Sequence, residues 1–418
     1  MKYPITPDYL SRVPDSVVKL YQDLEDYLIR QICGSLSISG EPNATALELI
    51  RQLQRRGMPL ETIEERIKRT LKLSDQQLKK ALENAVQRNN AYYDAAFDAL
   101  GLVEEQAQLD EMAAEIDSIT RQTEKAMHNI TRSMGFGMRG LDGSVIICDA
   151  QRTYQTILDK AELRVLSSGA SYNVAIRDGI REMTGSGLIG EWVEYRDEEG
   201  KVYHRNRVDV AVRRAVMTGV SQISAQRSEM AAEELDTPLR EISAHRGARD
   251  VDGPHGWENH KEWQGKVYST ERGDDKYPYI YTATGWGAVD GLEGANCRHM
   301  HFPFVEGFSE RTYTDEELAN IDKPPFTYQG REYSAYEATQ KQREIETALR
   351  RVKRRLIGFK AAGDDEAYTA EAVRYLRLNE EYTKFSAAAD LPTQRERSNI
   401  AEFGPAEAKA ARAAARSA

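Results

Sequence analysis

One long stretch without a helix-breaking residue strongly limits what this chain can fold into. Residues 103–134 contain neither proline nor glycine. They form one long amphipathic pattern with a heptad-like seam, in which Thr123 is the weak position. The apolar residues of the seam are Leu109, Met112, Ile116, Ile119, Ala126 and Ile130. A single helix of this length would extend for about 48 Å, so the sequence favours a fold of long packed helices.

The sequence before this helix has the same kind of periodicity, so residues 1–140 are predicted to be helical. Ser74 and Gln77 match a capping box, which predicts the start of a helix there. Between Asn89 and Thr120 there are eight acidic residues and neither lysine nor arginine. Such a run is either a solvated helix face or an acidic docking surface for a partner, and the sequence leaves both interpretations open.

Four further segments are predicted after residue 140. Residues 141–235 are helical with a β-hairpin near 191–207, whose turn is Glu199-Gly200. Residues 236–306 form a compact α+β domain that is rich in histidine and tryptophan. Residues 307–390 form a linker and a basic helical hairpin, and the alanine-rich residues 391–418 form a flexible tail. The predicted fold class is therefore α+β and predominantly α-helical.

Composition excludes several classes of protein. The net charge of −10 argues against a globally basic nucleic-acid coat, although it permits local basic patches. No apolar run approaches the roughly 18–20 residues that cross a bilayer, and the first residues lack the apolar core of a secretion signal. The three cysteines are widely spaced and odd in number, which argues against a disulfide framework and predicts folding in a reducing cytoplasm.

The segment between His245 and His301 is the strongest candidate for a specialised site, because it holds five of the seven histidines and three of the four tryptophans. Cysteine thiolate and imidazole are the usual ligands of zinc. The candidate ligands are His245, His260, Cys297 and His299. Their spacing is not that of a standard zinc finger, so a second interpretation stays open: Cys297 is a small buried group and the histidines hold loops by hydrogen bonds.

Acid–base catalysis is a further alternative for the same segment. His245 and His260 could act as a pair, as in metal-independent nucleases. No nucleophile motif or phosphate-binding glycine loop accompanies them, so no residue is predicted to be catalytic.

A basic helix is predicted near the end of the chain. Residues 341–360 contain eight basic and two acidic residues, a net charge of +6. Such a face either contacts phosphate or is an ordinary solvated surface. The candidate DNA-binding residues are Arg350, Arg351, Lys353, Arg354 and Arg355.

Several of these segments together resemble the phage minor capsid protein 2 family, which is distantly similar in role to the Mu-type minor head proteins. The resemblance covers most of the chain and depends most on HKEWQGKVYS, NCRHMHFPF and YEATQKQR. The motif residues to which it assigns a structural role are Trp263, Gln264, Gly265 and Arg298. The segment DVDGPHGWEN, before HKEWQG, is longer than the family pattern and adds His255 and Trp257, which sets His255 apart from any shared site.

The resemblance implies a structural minor protein of a tailed-phage head, located in the procapsid and virion near the portal. It implies roles in head assembly and in DNA packaging or ejection. The implied partners are the portal protein, the major capsid and scaffold proteins, and packaged DNA, with no membrane partner. The expected location is the capsid interior or portal vertex, and the host cytoplasm during assembly. No cofactor is expected apart from a structural zinc. The alternative is a nuclease-like enzymatic effector carried with the phage DNA.

Overall fold

The computed structural model describes residues 3–37, 44–102, 106–140, 142–196 and 202–417. Helices make up 64% of it and the remaining regular structure is small antiparallel sheets, which confirms the predicted class. The helices are α1 Pro7–Arg12, α2 Asp15–Leu36, α3 Ala46–Arg56, α4 Leu60–Leu100, α5 Gln106–Arg132, α6 Ala150–Ser168, α7 Tyr172–Ser186, α8 Val208–Glu234, α9 His260–Trp263, α10 Ile280–Thr284, α11 Asp315–Ala319, α12 Ala335–Ala362, α13 Asp365–Ala388, α14 Arg395–Ser398 and α15 Pro405–Arg416. The strands are β1 Gly135–Arg139, β2 Val145–Cys148, β3 Leu188–Arg196, β4 Val202–Arg207, β5 Leu239–Ile242, β6 Val267–Ser269, β7 His301–Phe304, β8 Phe326–Tyr328 and β9 Arg331–Tyr333.

The chain forms two compact units, each assembled from three separate stretches of sequence. Unit 1 comprises Met1–Val17, Ser74–Met127 and Val212–Gln340. Unit 2 comprises Val18–Leu73, His128–Ala211 and Lys341–Ala418. The sequence predicted five consecutive segments instead, because hydrophobic periodicity is a local property and does not show which distant helices pack together.

The long helix predicted over 103–134 is observed as α5, and residues 103–105 lie outside the described part of the chain. Thr123, the weak position of the seam, is buried on this helix. Helix α8 approaches α5 closely at this point, since a Cβ on Gly219 of α8 would be 2.5 Å from the Thr123 hydroxyl oxygen. Position 123 therefore needs a small residue. The helix start predicted at Ser74 is wrong, since α4 continues through that residue.

Replacing Gly219 by alanine is therefore expected to destabilise unit 1, although alanine is the better helix former. Overpacking costs about 1–3 kcal/mol, whereas the gain in helix propensity is at most about 1 kcal/mol. Denaturant unfolding of the full chain measures the net change. Gly34→Ala is the control, because a Cβ at that position of α2 meets nothing within 4 Å. A variant Gly219→Ala as stable as Gly34→Ala would contradict the close approach.

Unit 2 contains a four-stranded antiparallel sheet with the order β2-β1-β3-β4. Strands β3 and β4 pair antiparallel, as the hairpin predicted near 191–207 requires. Its predicted turn, Glu199-Gly200, lies outside the described residues.

Residues 391–418, for which composition predicts a flexible tail, carry α14 and α15. Phe403 packs edge-on against Tyr375 of α13, and Ala411 of α15 is fully buried. Alanine-rich sequence has little apolar variety, but its small side chains let one helix lie close to another. This is why residues that are too uniform to form a core of their own still pack within unit 2.

A three-stranded antiparallel sheet in unit 1, with the order β6-β5-β7, supports the candidate site. Central strand β5 pairs with β6 through Arg240–Tyr268 and with β7 through Glu241–Phe302. An apolar cluster fills the space between this sheet and the loops that follow it. The buried residues of that cluster are Ile242, Trp263, Tyr268, Ile280, Leu292 and Cys297.

Candidate metal centre

Three of the four predicted zinc ligands converge in unit 1. His260 begins the short helix α9, and Cys297 and His299 lie in the segment that leads into β7. The Sγ atom of Cys297 is 3.7 Å from Nδ1 of His260 and 3.5 Å from Nδ1 of His299. The three side chains offer ligand atoms that all lie within 4.8 Å of one another. Their residues are 2%, 4% and 1% exposed, respectively, so the cluster is shielded from solvent.

The backbone before Cys297 turns sharply to bring this residue to the histidines. Asn296 has φ 62°, in the left-handed region that asparagine tolerates better than most side chains. The amide nitrogen of Cys297 donates to the carbonyl oxygen of Gly294, which closes the turn. On the other side, the Arg249 carbonyl oxygen accepts from the amide of Lys261 and holds the start of α9 in place.

Hydrogen bonds fix the tautomer of both histidines. The Nε2 atom of His260 lies 2.9 Å from the Asp290 carbonyl oxygen, which can only accept, so Nε2 carries the hydrogen. The Nε2 atom of His299 lies 3.1 Å from the Gln264 side-chain oxygen. That oxygen also accepts the backbone N–H of His245, which confirms the orientation of the amide. Both histidines therefore direct an unprotonated Nδ1 towards the sulfur of Cys297.

In the absence of a metal, burial keeps all three groups neutral. It raises the pKa of the Cys297 thiol to about 11. It lowers the pKa of His260 to about 4, against the opposing effect of the Asp290 carbonyl. It also lowers the pKa of His299 well below its usual range, helped by the neighbouring His245 and His260. A neutral thiol has one hydrogen to donate, whereas two Nδ1 acceptors face it.

The fourth predicted ligand, His245, lies beside the cluster and is not one of the converging groups. Its ring stacks on His299 with 4.4 Å between centroids. Its Nδ1 atom is 3.1 Å from Nη2 of Arg298 and 3.0 Å from the Arg246 carbonyl oxygen. His245 therefore supports the ring of His299 and does not point its Nδ1 at Cys297. Sequence spacing could not distinguish these two positions.

The structural-motif residues surround the cluster. Trp263 is buried against the rings of His260 and His299, and its Nε1 donates to the Trp257 carbonyl oxygen. Gly265 has φ +71°, a conformation that strains any other side chain, and a Cβ there would also meet the side chain of Leu318, so glycine suits the turn after α9. Gln264 is the amide that orients His299. These contacts assign the motif to packing and positioning.

His255 and His301 have other surroundings. His255 pairs with Glu258 at 2.9 Å, stacks on Trp257, and has a side chain that is 55% exposed. His301 is fully buried between the carboxylates of Glu229 and Glu293, at 2.8 and 2.9 Å. Burial alone would lower the pKa of His301, but the two carboxylates outweigh it and raise the pKa to about 9. No local sequence pattern indicates this ion-paired histidine, because Glu229 lies on α8, 72 residues away in the chain.

Four of the five predicted DNA-binding residues make contacts inside unit 2. Arg354 is buried against Glu25 and Asp26, and Arg355 lies 3.5 Å from Glu371. Arg350 and Lys353 donate to the carbonyl oxygens of Arg397 and Ser398, respectively, both at 2.6 Å. Arg351 is exposed. These contacts account for four of the five candidate residues without any nucleic acid. A DNA contact by Arg351 stays a prediction.

Known proteins similar to this chain define its class. A protein described as "Structural protein" from Lactococcus phage LL-H is 26% identical over 211 residues, which are 48% of this chain and 51% of the relative. The chain thus spans about half the length of that curated relative. No solved structure matches the chain. The similarity is to a structural protein of a phage.

The family follows from a longer match. The model of phage minor capsid protein 2 matches residues 5–386. The chain belongs to this family, and the resemblance predicted from the sequence is confirmed. Among the described helices, none is both long enough and apolar enough to cross a membrane.

Proposed function

We propose that this protein is a non-enzymatic structural component of the phage head. It is built into the procapsid near the portal, where it contacts the portal protein and the major capsid or scaffold protein and aids assembly. The observation that carries this proposal is the family match over residues 5–386. The curated relative is itself described as a structural protein of a phage.

An acidic surface supports contact with another protein. At the end of α4 and the start of α5, Asp98, Asp110 and Glu111 are exposed. Leu100 and Leu102 lie in the same region and are 56% and 36% exposed. Exposed leucines beside carboxylates suit a partner whose surface combines apolar and basic residues, because complementary charge steers association and fixes its orientation. We assign this surface to the contact with the portal or shell.

Reversing the charge of this acidic surface is expected to lower incorporation into heads by roughly ten-fold or more, because like charges across an interface cost several kcal/mol. The variant carries Asp98→Lys, Asp110→Lys and Glu111→Lys, and it is supplied to a phage that lacks the gene. Quantitative mass spectrometry of purified procapsids measures the incorporated chain.

The control for this variant has three reversals on the first part of α4, at the exposed Glu61, Glu64 and Glu65. It changes the net charge by the same amount and should be incorporated normally. Equal incorporation of both variants would remove the acidic surface from the proposal. Equal loss of both would show that net charge alone is responsible.

Cross-linking of wild-type procapsids tests the location. Cross-links from this chain to the portal protein are expected. A chain that is absent from procapsids and virions would contradict the structural role. A chain that cross-links to the shell at positions distant from the portal would contradict the portal-proximal placement alone.

The nuclease-like alternative lacks a specific observation in its favour. His260 is 2% exposed and its Nε2 is occupied by the Asp290 carbonyl, whereas a general base must reach a substrate or a water molecule beside it. Cleavage of DNA or RNA by the purified chain, abolished by His260→Gln in a folded variant, would revive this alternative.

A further inference from the structure

We propose that His260, Cys297 and His299 bind one zinc ion, which ties the short helix α9 to the segment before β7. The inference is independent of the role in the head, because it depends on the geometry of unit 1 alone. It begins from the three ligand atoms that converge within 4.8 Å.

The distances match those of a tetrahedral zinc site. With Zn–S near 2.3 Å and Zn–N near 2.0–2.1 Å, a tetrahedral angle places sulfur and nitrogen about 3.6 Å apart. The observed separations between Cys297 Sγ and the two Nδ1 atoms are 3.7 and 3.5 Å. A hydrogen bond from a thiol has a similar length, so distance by itself does not choose between a proton and a metal.

The tautomers of the two histidines distinguish a bound metal from a shared thiol proton. Both histidines hold their hydrogen on Nε2 and direct a lone pair at the same sulfur, so one thiol hydrogen leaves one buried acceptor without a donor. A divalent cation bound to the thiolate satisfies both nitrogens at once. Donation of the far N–H to a carbonyl or amide oxygen is also the arrangement that orients histidine ligands of metals. Here the Asp290 carbonyl and Gln264 fill that role.

Burial determines what kind of site this is. Three protein ligands leave one tetrahedral position, which we assign to a water molecule. Open positions are typical of catalytic zinc, but these ligand residues are at most 4% exposed and Trp263 covers two of the rings. Substrate has no access to such a centre. The zinc therefore acts as a structural clamp in a domain with short strands and a small apolar core.

Metal analysis of the full-length chain tests the proposal. Protein purified from zinc-supplemented cells is expected to contain about one zinc per chain. Cys297→Ser should reduce this at least about ten-fold, because it removes the thiolate ligand. Cys148→Ser is the matched control: it is also a buried cysteine, but its sulfur lies 3.9 Å from the Thr156 hydroxyl, and it should retain the metal.

The wild-type protein provides a test that does not depend on the folding of any variant. X-ray absorption at the zinc edge should show one sulfur and two imidazole ligands, and cobalt substitution should produce a thiolate-to-cobalt charge-transfer band. Purified chain without zinc that gains no such band on addition of cobalt would overturn the proposal. A site with no sulfur ligand, or a zinc content equally reduced in both cysteine variants, would overturn it as well.

Discussion

Replacing Arg354 by methionine is expected to lower the free energy of unfolding of unit 2 by about 3–5 kcal/mol, because it leaves buried carboxylates without their counter-charge. Arg354 is 1% exposed, and its guanidinium lies 2.9 Å from Glu25 and 2.6 Å from Asp26. These carboxylates are themselves 3% and 0% exposed. Methionine retains much of the volume of the arginine side chain, so the lost free energy of unfolding comes more from the missing charge than from poorer packing.

The surrounding charges explain why the loss is large. Three arginines and three carboxylates share this part of unit 2, so the cluster is electrically balanced; its members are Glu25, Asp26, Arg207, Asp209, Arg350 and Arg354. Removing one cation leaves a net negative charge in a region where water is excluded. Burial would raise the pKa of Asp209, yet Arg207 and Arg350 hold it well below its usual range. Burial keeps the pKa of Asp26 raised even beside Arg354, so Asp26 depends on that arginine to remain charged.

Hydrogen–deuterium exchange and denaturant unfolding measure this effect. Faster exchange should appear in peptides of α2 and α12, which carry the two sides of the ion pair. Arg351→Met is the matched control on the same helix, because Arg351 is exposed, and its effect should stay within about 0.5 kcal/mol. A loss of equal size in the two variants would refute the argument from burial.

The same residues show what sequence alone could not predict. The charge of the 341–360 segment was visible, but its meaning depends on Asp26, which lies 328 residues from Arg354 in the chain. No local pattern reveals that pairing. The acidic run of α4 and α5 was equally ambiguous, and the structure leaves several of its carboxylates exposed. We therefore propose that the acidic segment, and not the basic helix, is the surface offered to a partner.

Local patterns were predictive where the structure is itself local. Periodicity predicted α5, because one face of a helix is defined by residues three and four apart. Cys297 and His299 are two residues apart, so their proximity followed from the chain. The orientation of His245 did not, because it depends on Arg298, which reaches across from another segment. A histidine-rich sequence thus indicated the region of the site, whereas the choice of converging side chains required the fold.

His301 is expected to make unit 1 less stable at alkaline pH. Its pKa is raised from 6.5 to about 9 in the folded protein by Glu293 and Glu229, which outweigh burial. A raised pKa means that the folded state holds the proton more tightly than the unfolded state. The stabilisation is therefore complete below about pH 6.5 and is lost as the pH rises through about 9. This pKa shift corresponds to a stabilisation of the folded state by at most about 3 kcal/mol.

The variant His301→Gln isolates this contribution, because glutamine keeps hydrogen-bonding groups but carries no charge at any pH. At pH 6 it should be less stable than the wild type by about 3 kcal/mol or more, since Glu229 and Glu293 then face a neutral group. By pH 10 the difference should shrink by about the 3 kcal/mol that the wild type has lost. Denaturant unfolding across this range gives the difference in the free energy of unfolding at each pH. His255→Gln is the control, because the His255 side chain is 55% exposed, and its difference from the wild type should be small and nearly constant. A difference for His301→Gln that does not change between pH 6 and 10 would mean that this imidazole is neutral between its two carboxylates.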